Sequence, residues 1–415
     1  MPAIWDGRCE VACRLLPLLA QRETADPGWL PAATSDWRTL VEACETHQVI
    51  PYVYCRLQGP AMAARFAGLV EYLRSRFHAV CARNYQLAKR LVELASMLQN
   101  EGIPVLSYKG PSVAMAVYGG LSLRQYNDLD LVIHKEHQVE VLRLMRGWGY
   151  QAAPALAVPR VRPFLGNSAD PRNVERTQEV EFRAPDGTYF VDLHWQLGDL
   201  FWRSLHPDNE RFWDRLERQN LPHGRVFTLC REDLFLALCA HGNRHRWICL
   251  KWLLDIAEFV RQPQPLDWSR IEEMVRIRPG AGASANVALL LAHDLLKAPV
   301  PDAAWRILPT TSRTLALAAA IQKELLESGQ TSGDEQSTLL ALEPRPLARM
   351  KYHVTRIFSY PGGLFREIFV QISPMDRALA RLPKRLQFLY HIIRPIRLVV
   401  KHCISLARTL WSTAN

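Results

Sequence analysis

The sequence contains no C-x-x-C pair, no H-E-x-x-H and no G-x-x-x-x-G-K-[ST]. Nor does any uncharged apolar run approach the roughly 20 residues that a membrane-spanning helix needs. Each absence removes a class. Nine cysteines, an odd number, at Cys9, Cys13, Cys44, Cys55, Cys81, Cys230, Cys239, Cys249 and Cys403 suggest neither a disulfide framework nor a zinc ribbon. Most lie in apolar stretches, where a free thiol serves as a small core residue. Without the phosphate-cradling lysine loop, a P-loop ATPase or kinase is not expected. Asp6, Arg8, Glu10 and Arg14 interrupt any apolar leader segment. A reduced, cytoplasmic protein is the expectation, and no internal repeat of useful period is present.

What is there is an ordinary globular composition, 48% hydrophobic and 22% charged, over 415 residues. That length suggests two or three domains, each able to bury a core. The formal net charge of +10 favours an anionic contact: nucleotide, nucleic acid, acidic carrier or membrane surface. Charge alone does not choose among them.

Residues 1–100 read as a helical N-terminal region. Apolar positions recur at helical spacing through Trp37, Leu40, Val41 and Cys44, and through Leu87, Leu91, Leu94 and Leu98, with Asp36 as a candidate N-cap and Asn100 with Gly102 as a stop. The texture changes in residues 101–205. A β-like run at 104–108 meets Lys109-Gly110, a small-residue helix follows to Tyr118, and a Gly119-Gly120 turn leads through Arg124 into a strand at 127–134. A helix is expected from 136 to 148. Residues 153–177 form a basic, proline-rich loop, long enough to suggest a cover over substrate. Two strands follow at 179–183 and 188–194, joined at Asp186-Gly187, a strong hairpin signal. From about Asp208 the chain reads as helical again, with apolar periodicity in 232–262, 283–298 and 312–327 and a polar break at 329–337. The domain reading is therefore a helical N-terminal region at 1–100, an α/β domain at 101–205, a helical domain at 206–330 and a basic helical tail at 338–415. The fold class is α+β: a small mixed β-sheet domain flanked by helices, with helical N- and C-terminal regions.

The chemistry concentrates in three carboxylates. Asp128 and Asp130 stand two apart at the start of a strand, so they share one face about 6–7 Å apart. Two such carboxylates can grip a pair of Mg²⁺ (or Mn²⁺) ions about 3.5–4 Å apart, leaving coordination positions for water and phosphate oxygens. Asp192, between Val191 and Leu193, completes the site if its strand is a neighbour, and it could help deprotonate an attacking hydroxyl. An unpaired carboxylate there is otherwise costly. A D-x-D pair alone is common by chance, and a solvated strand end is the plain alternative. The order shifts the balance: a glycine turn at Lys109-Gly110, a helix, D-x-D, then a third Asp is a phosphate-handling layout. Gly110 lets backbone approach phosphate, and the next helix offers N–H groups and its positive dipole end.

Together these residues resemble the family of uncharacterised bacterial nucleotidyltransferases over about residues 105–260. The matching pieces are Ser107-Tyr-Lys-Gly110, Tyr118-Gly119, Arg124, Asp128-Leu-Asp-Leu-Val132, Asp192-Leu-His-Trp195, and His241 through Trp252-Leu-Leu-Asp255-Ile-Ala257. The resemblance implies a nucleotidyltransferase-like mixed sheet flanked by helices, metals on Asp128, Asp130 and Asp192, and transfer of a nucleotidyl group from a nucleoside triphosphate with release of pyrophosphate. It makes Gly110 part of the phosphate-binding turn and Lys109 and Arg124 candidate triphosphate contacts. The acceptor stays open among a small molecule, a glycan precursor, RNA and protein. One departure stands out: many members of the superfamily have Gly-Gly or Gly-Ser where this chain has Gly110-Pro111, and proline removes a backbone N–H while suiting a helix first turn.

Other features carry two readings. His194 keeps the face of Asp192 and is a candidate for the site, whereas Trp195 alternates toward the core. His241 and His245 are spaced for a metal on a helix, yet satisfied structural histidines are the commoner case; with Asp255 they could also approach the site from behind. The segment 388–411 mixes apolar residues with Arg394, Arg397, Lys401 and Arg408. It suits peripheral contact with an anionic membrane or nucleic acid, or packing on the rest of the chain. Beside the enzyme stand a catalytically silent nucleotide- or partner-binding module and a toxin-like nucleotidyltransferase acting on RNA or protein.

Overall fold

The structure is a computed structural model that describes residues 37–60, 66–152, 179–195, 211–327 and 335–347, with isolated positions at 15, 16, 18–20, 64, 197, 349 and 350. The candidate N-cap Asp36, the proline-rich loop at 153–177 and the tail segment 388–411 lie outside the described residues.

In chain order the elements begin with helices α1 (Trp37–Thr46), α2 (Ile50–Arg56) and α3 (Ala67–Asn100). Strand β1 (Val105–Ser107), helix α4 (Pro111–Tyr118), strand β2 (Asp128–Ile133), helix α5 (Gln138–Gly147) and strands β3 (Gln151–Ala152), β4 (Glu179–Arg183) and β5 (Phe190–His194) follow. Next come β6 (Glu217–Leu221) and β7 (Gly224–Thr228), and then helices α6 (Arg231–Arg244), α7 (Leu250–Arg261), α8 (Trp268–Ile277), α9 (Pro279–Leu296), α10 (Asp302–Ile307), α11 (Ser312–Glu327) and α12 (Glu335–Leu342). The fold is α+β, with one mixed seven-stranded sheet ordered β3-β4-β5-β2-β1-β7-β6. Strands β2 and β5 run parallel, as do β1 and β7, while the other pairs are antiparallel.

The core sits behind this sheet. Leu87, Leu91, Leu94 and Leu98 of α3 pack with Val141 and Met145 of α5 against Leu129, Leu131 and Ile133 of β2 and Val191 and Leu193 of β5. This is the helical stripe meeting the strands' alternate residues, and each fully buried Leu or Val contributes about 1.5–3 kcal/mol. Helix α3 ends where expected, with Gly102 at φ +77° just beyond Asn100. The hairpin β4–β5 turns at Asp186-Gly187, where Gly187 has φ +70° and Asp186 Oδ1 accepts from the Thr188 amide at 3.0 Å.

Two expectations need correction. The stretch after Asp208 is not purely helical: β6 and β7 form a hairpin that joins the sheet beside β1. Strand β6 is Glu-Arg-Gln-Asn-Leu on the sheet's edge, where solvation removes the alternation that marks a strand. Gly224 lets this hairpin lie against α3, since a Cβ there would fall 2.6 Å from Val92 Cγ1. The single periodic segment 232–262 is two helices, α6 and α7, broken where Arg246 and Trp247 take φ of +50° and +55°. The fully buried Trp247 indole fills the space above Gly242, where a Cβ would fall 2.3 Å from the ring.

Cys44, Cys230, Cys239 and Cys249 are free and buried, as small core residues. Among the described residues no helix is long and apolar enough to cross a membrane.

The N-terminal helices dock on α7 through a buried histidine. His47 Nδ1 accepts from the Leu250 amide at 3.4 Å, and its carbonyl accepts from Cys249 Sγ at 3.2 Å. Burial lowers the His47 pKa from 6.5 to about 4, so the neutral ring is the folded form. The unfolded chain takes up this proton first. Stability is therefore complete above pH 6.5 and falls as the pH drops toward 4, by an amount on the order of 3 kcal/mol at full extent. His47→Asn keeps an acceptor and removes the titration, so urea midpoints measured from pH 7 to pH 4 should fall less steeply in this variant than in the wild type.

Candidate active site

The parallel pairing of β2 and β5 sets Asp130 directly opposite Asp192 and Val132 opposite His194. On β2, the core-facing Leu129, Leu131 and Ile133 alternate with Asp128, Asp130 and Val132, so both aspartates face away from α3 and α5. On β4, Glu181 pairs with Asp192 and Glu179 with His194, which adds two carboxylates to the same face.

The turn between β1 and α4 closes the site. Gly110 has φ +54° and ψ −123°, a conformation that disfavours any residue with a Cβ, and a Cβ there would stand 3.4 Å from the Asp128 carbonyl oxygen. Pro111 follows in the first turn of α4. The turn presents Lys109, whose Nζ lies 3.0 Å from Asp130 Oδ1 and 4.8 Å from the Tyr108 ring centroid. His194 Nε2 lies 3.3 Å from the same Asp130 oxygen, and its Nδ1 lies 3.2 Å from Glu179 Oε2. The Tyr108 ring meets His194 edge-on at 5.8 Å.

The electrostatics divide the carboxylates. Burial pushes Asp130 up, but Lys109 and His194 outweigh it and hold the group well below the usual carboxylate range. Burial likewise opposes the charge on Lys109, and Asp130 outweighs it, so the ammonium persists. For His194, burial is overcome by Tyr108 and by the carboxylates of Asp130 and Glu179, which favour the imidazolium. Glu179 falls to about 2 through its hydrogen bond to His194. Asp192 makes no ion pair among the described residues, and burial followed by repulsion from Asp130 pushes it up to about 7. Asp128 is raised by the same two causes. The face thus sets two compensated carboxylates, Asp130 and Glu179, beside Asp128 and Asp192, which are short of positive charge.

Among the described residues, the group able to hold a metal ion is Asp130, Asp192 and His194, whose ligand atoms lie within 4.8 Å of one another. Asp128 shares the face at the start of β2 but stands outside this group. Arg124 is placed differently from the other candidates. Its guanidinium is 4% exposed and holds Asp255 of α7 at 2.9 and 3.1 Å through Nε and at 2.9 Å through Nη2. Trp195 is buried, as its alternation implied. His241 and His245 pack together at 4.7 Å and against Trp252 at 4.9 and 5.3 Å, outside the metal-capable group. The residue that sequence reasoning passed over is Glu179. The signal was present, because counting back from the Asp186-Gly187 turn pairs residue 179 with 194.

A mixed sheet carrying carboxylates on two adjacent strands, closed by a lysine–glycine turn and backed by helices, defines a nucleotidyltransferase-like domain. Residues 33–297 match the family described as uncharacterised nucleotidyltransferase, and the chain belongs to that family. The match runs from before α1 through α9 and so extends well beyond the stretch from 105 to 260 where the motifs lie. No curated protein and no solved structure gives a match.

Proposed function

We propose that this protein is a metal-dependent enzyme that transfers a nucleoside monophosphate from a nucleoside triphosphate to an acceptor hydroxyl, releasing pyrophosphate. The observation that carries this reading is the pairing of Asp130 with Asp192 across β2 and β5, with Asp128 on the same face. The donor set fits a hard divalent cation such as Mg²⁺ or Mn²⁺: it is rich in carboxylate oxygen, and Asp192 lacks an ion-pair partner among the described residues. Asp128, Asp130 and Asp192 would hold the ion, which when bound supplies charge stabilisation on the phosphate oxygens.

The protein's own groups do the rest. Lys109, held 3.0 Å from Asp130, would meet triphosphate oxygens. Pro111 has no N–H, and the Ser112 amide donates to the Lys109 carbonyl at 3.1 Å. The grip on phosphate therefore rests on Lys109 and the Gly110 backbone rather than on the opening residues of α4. Asp192, opposite Asp130, would also take the proton of the attacking hydroxyl.

Calorimetric titration of the four nucleoside triphosphates, in Mg²⁺ and in Mn²⁺, tests this reading. Wild type should bind at least one of them only when metal is present. Asp128→Asn combined with Asp130→Asn should weaken that binding more than about 100-fold, since two of the three carboxylates proposed to hold the ion are gone. Metal-independent binding of equal strength in the wild type and the double variant would overturn it.

A further inference from the structure

His194 is gripped at both nitrogens. Glu179 Oε2 lies 3.2 Å from Nδ1, and Asp130 Oδ1 lies 3.3 Å from Nε2, with the Tyr108 ring against the imidazole at 5.8 Å. The strand register imposes this arrangement, because Glu179 is the direct partner of His194 on β4 and Asp130 pairs with Asp192, two residues earlier on β5. The two grips differ in kind. Asp130 and His194 are both buried, whereas the Glu179 side chain is 56% exposed. Glu179 thus approaches the ring from the open edge of the site, and Nε2 turns inward toward Asp130 and Asp192. A carboxylate on one imidazole nitrogen, with the other aimed into a group of oxygen donors, is the arrangement that orients a metal-ligating histidine and fixes its tautomer.

We infer that a metal held by Asp130 and Asp192 displaces the Nε2 proton of His194 to solvent and takes that nitrogen as a ligand, that Glu179 is the positioning residue accepting from Nδ1–H, and that the site prefers Mn²⁺ to Mg²⁺. This inference rests on the function proposed above and adds the identity of a donor and of the ion. The chemistry of the set supports it. Mg²⁺ takes oxygen ligands in a strict octahedron and keeps much of its water, whereas a neutral imidazole nitrogen raises affinity for first-row transition ions over Mg²⁺. In this chain, loss of Glu179 leaves the imidazole without its outer hydrogen-bond acceptor.

The test uses the full chain with Mn²⁺ alone, without nucleotide, so that no base nitrogen competes. Pulsed electron paramagnetic resonance of the bound Mn²⁺ should show nitrogen modulation in the wild type and none in His194→Gln. In Glu179→Gln, which alters an exposed side chain and should fold normally, Mn²⁺ affinity should fall about 10-fold or more while Mg²⁺ affinity moves less than about twofold. Mn²⁺ that binds in an Asp130-dependent manner without nitrogen modulation would overturn the inference and leave the metal-dependent function standing. Equal loss of both ions in Glu179→Gln would likewise reduce Glu179 to a structural partner. Failure of the wild type to bind Mn²⁺ at all would overturn both readings.

Discussion

Asp192→Asn is expected to lower nucleotidyl transfer by about a thousandfold and, at the same time, to make the metal-free protein more stable at pH 8. The two effects have one origin. Asp192 lies opposite Asp130 on the parallel strand, makes no ion pair among the described residues, and has its pKa pushed up to about 7 by burial and by Asp130. A carboxyl raised in the folded state gives up stability as the pH rises from its ordinary value through 7, because the unfolded chain releases the proton more readily. Asparagine keeps the shape and removes that cost, a gain on the order of 1–2 kcal/mol at pH 8 once solvent screening is allowed for. Below about pH 4 the two proteins should unfold alike. Asp130→Asn should lose activity to a similar degree but in the opposite stability regime, since it strips the counter-charge from Lys109 at 3.0 Å and from His194 at 3.3 Å. Denaturant unfolding at pH 8 in the presence of a chelator, run beside transfer assays with α-phosphate-labelled triphosphates, separates the pair. An Asp192→Asn protein that is inactive and also destabilised would show that Asp192 serves the fold. Full activity would remove it from the site.

Much of this face was legible before the fold was known, and the reason is local. The D-x-D at residues 128–130 and the Asp186-Gly187 turn are short-range patterns whose geometry follows from a period of two and from a glycine at positive φ. The glycine of Lys109-Gly110 announces a turn for the same kind of reason: only a residue without a Cβ adopts its backbone easily beside the Asp128 carbonyl. What stayed hidden was set by pairing at long range. That β5 lies against β2, with Asp192 facing Asp130, was a condition that no local pattern could meet. Strand β6 carries no apolar alternation, being an edge, and its hairpin joins the sheet from beyond residue 205. The break between α6 and α7 depends on one residue, Trp247, which turns back over Gly242 and donates from Nε1 to Asn243 Oδ1 at 3.1 Å. Arg124 shows the limit most plainly. A basic residue ahead of a D-x-D reads as a phosphate contact, and no local pattern announces that a carboxylate far along the chain, Asp255, holds it.

That carboxylate carries the second large effect. Asp255→Ala is expected to destabilise the protein by about 3–5 kcal/mol, because it leaves a buried guanidinium and a half-buried phenol without their acceptor. Asp255 is fully buried in α7 and accepts from Arg124 through two nitrogens and from Tyr118 Oη at 2.9 Å. The segment it holds runs directly into β2. From the other side, Asn84 of α3 donates to the carbonyls of Leu121 and Arg124 at 2.6 and 2.8 Å and accepts through its own carbonyl from Tyr126 Oη at 2.8 Å. Lys251 of α7 adds a donor to the Gln125 carbonyl at 3.1 Å. The approach to Asp128 is thus clamped between α3 and α7, and the position of Asp128 and Asp130 depends on that clamp. Replacing both charges, with Arg124→Met and Asp255→Leu together, should recover much of the lost stability, since a buried ion pair exchanged for packed apolar groups is often close to neutral. The double variant also decides what Arg124 does. With the guanidinium spent on Asp255, triphosphate affinity in the refolded double variant should stay within about threefold of wild type, whereas a direct phosphate contact would cost about tenfold or more. Calorimetric titration of the double variant, beside its denaturant midpoint, reads both quantities from one preparation. A restored fold with triphosphate binding lost would return Arg124 to the phosphate site.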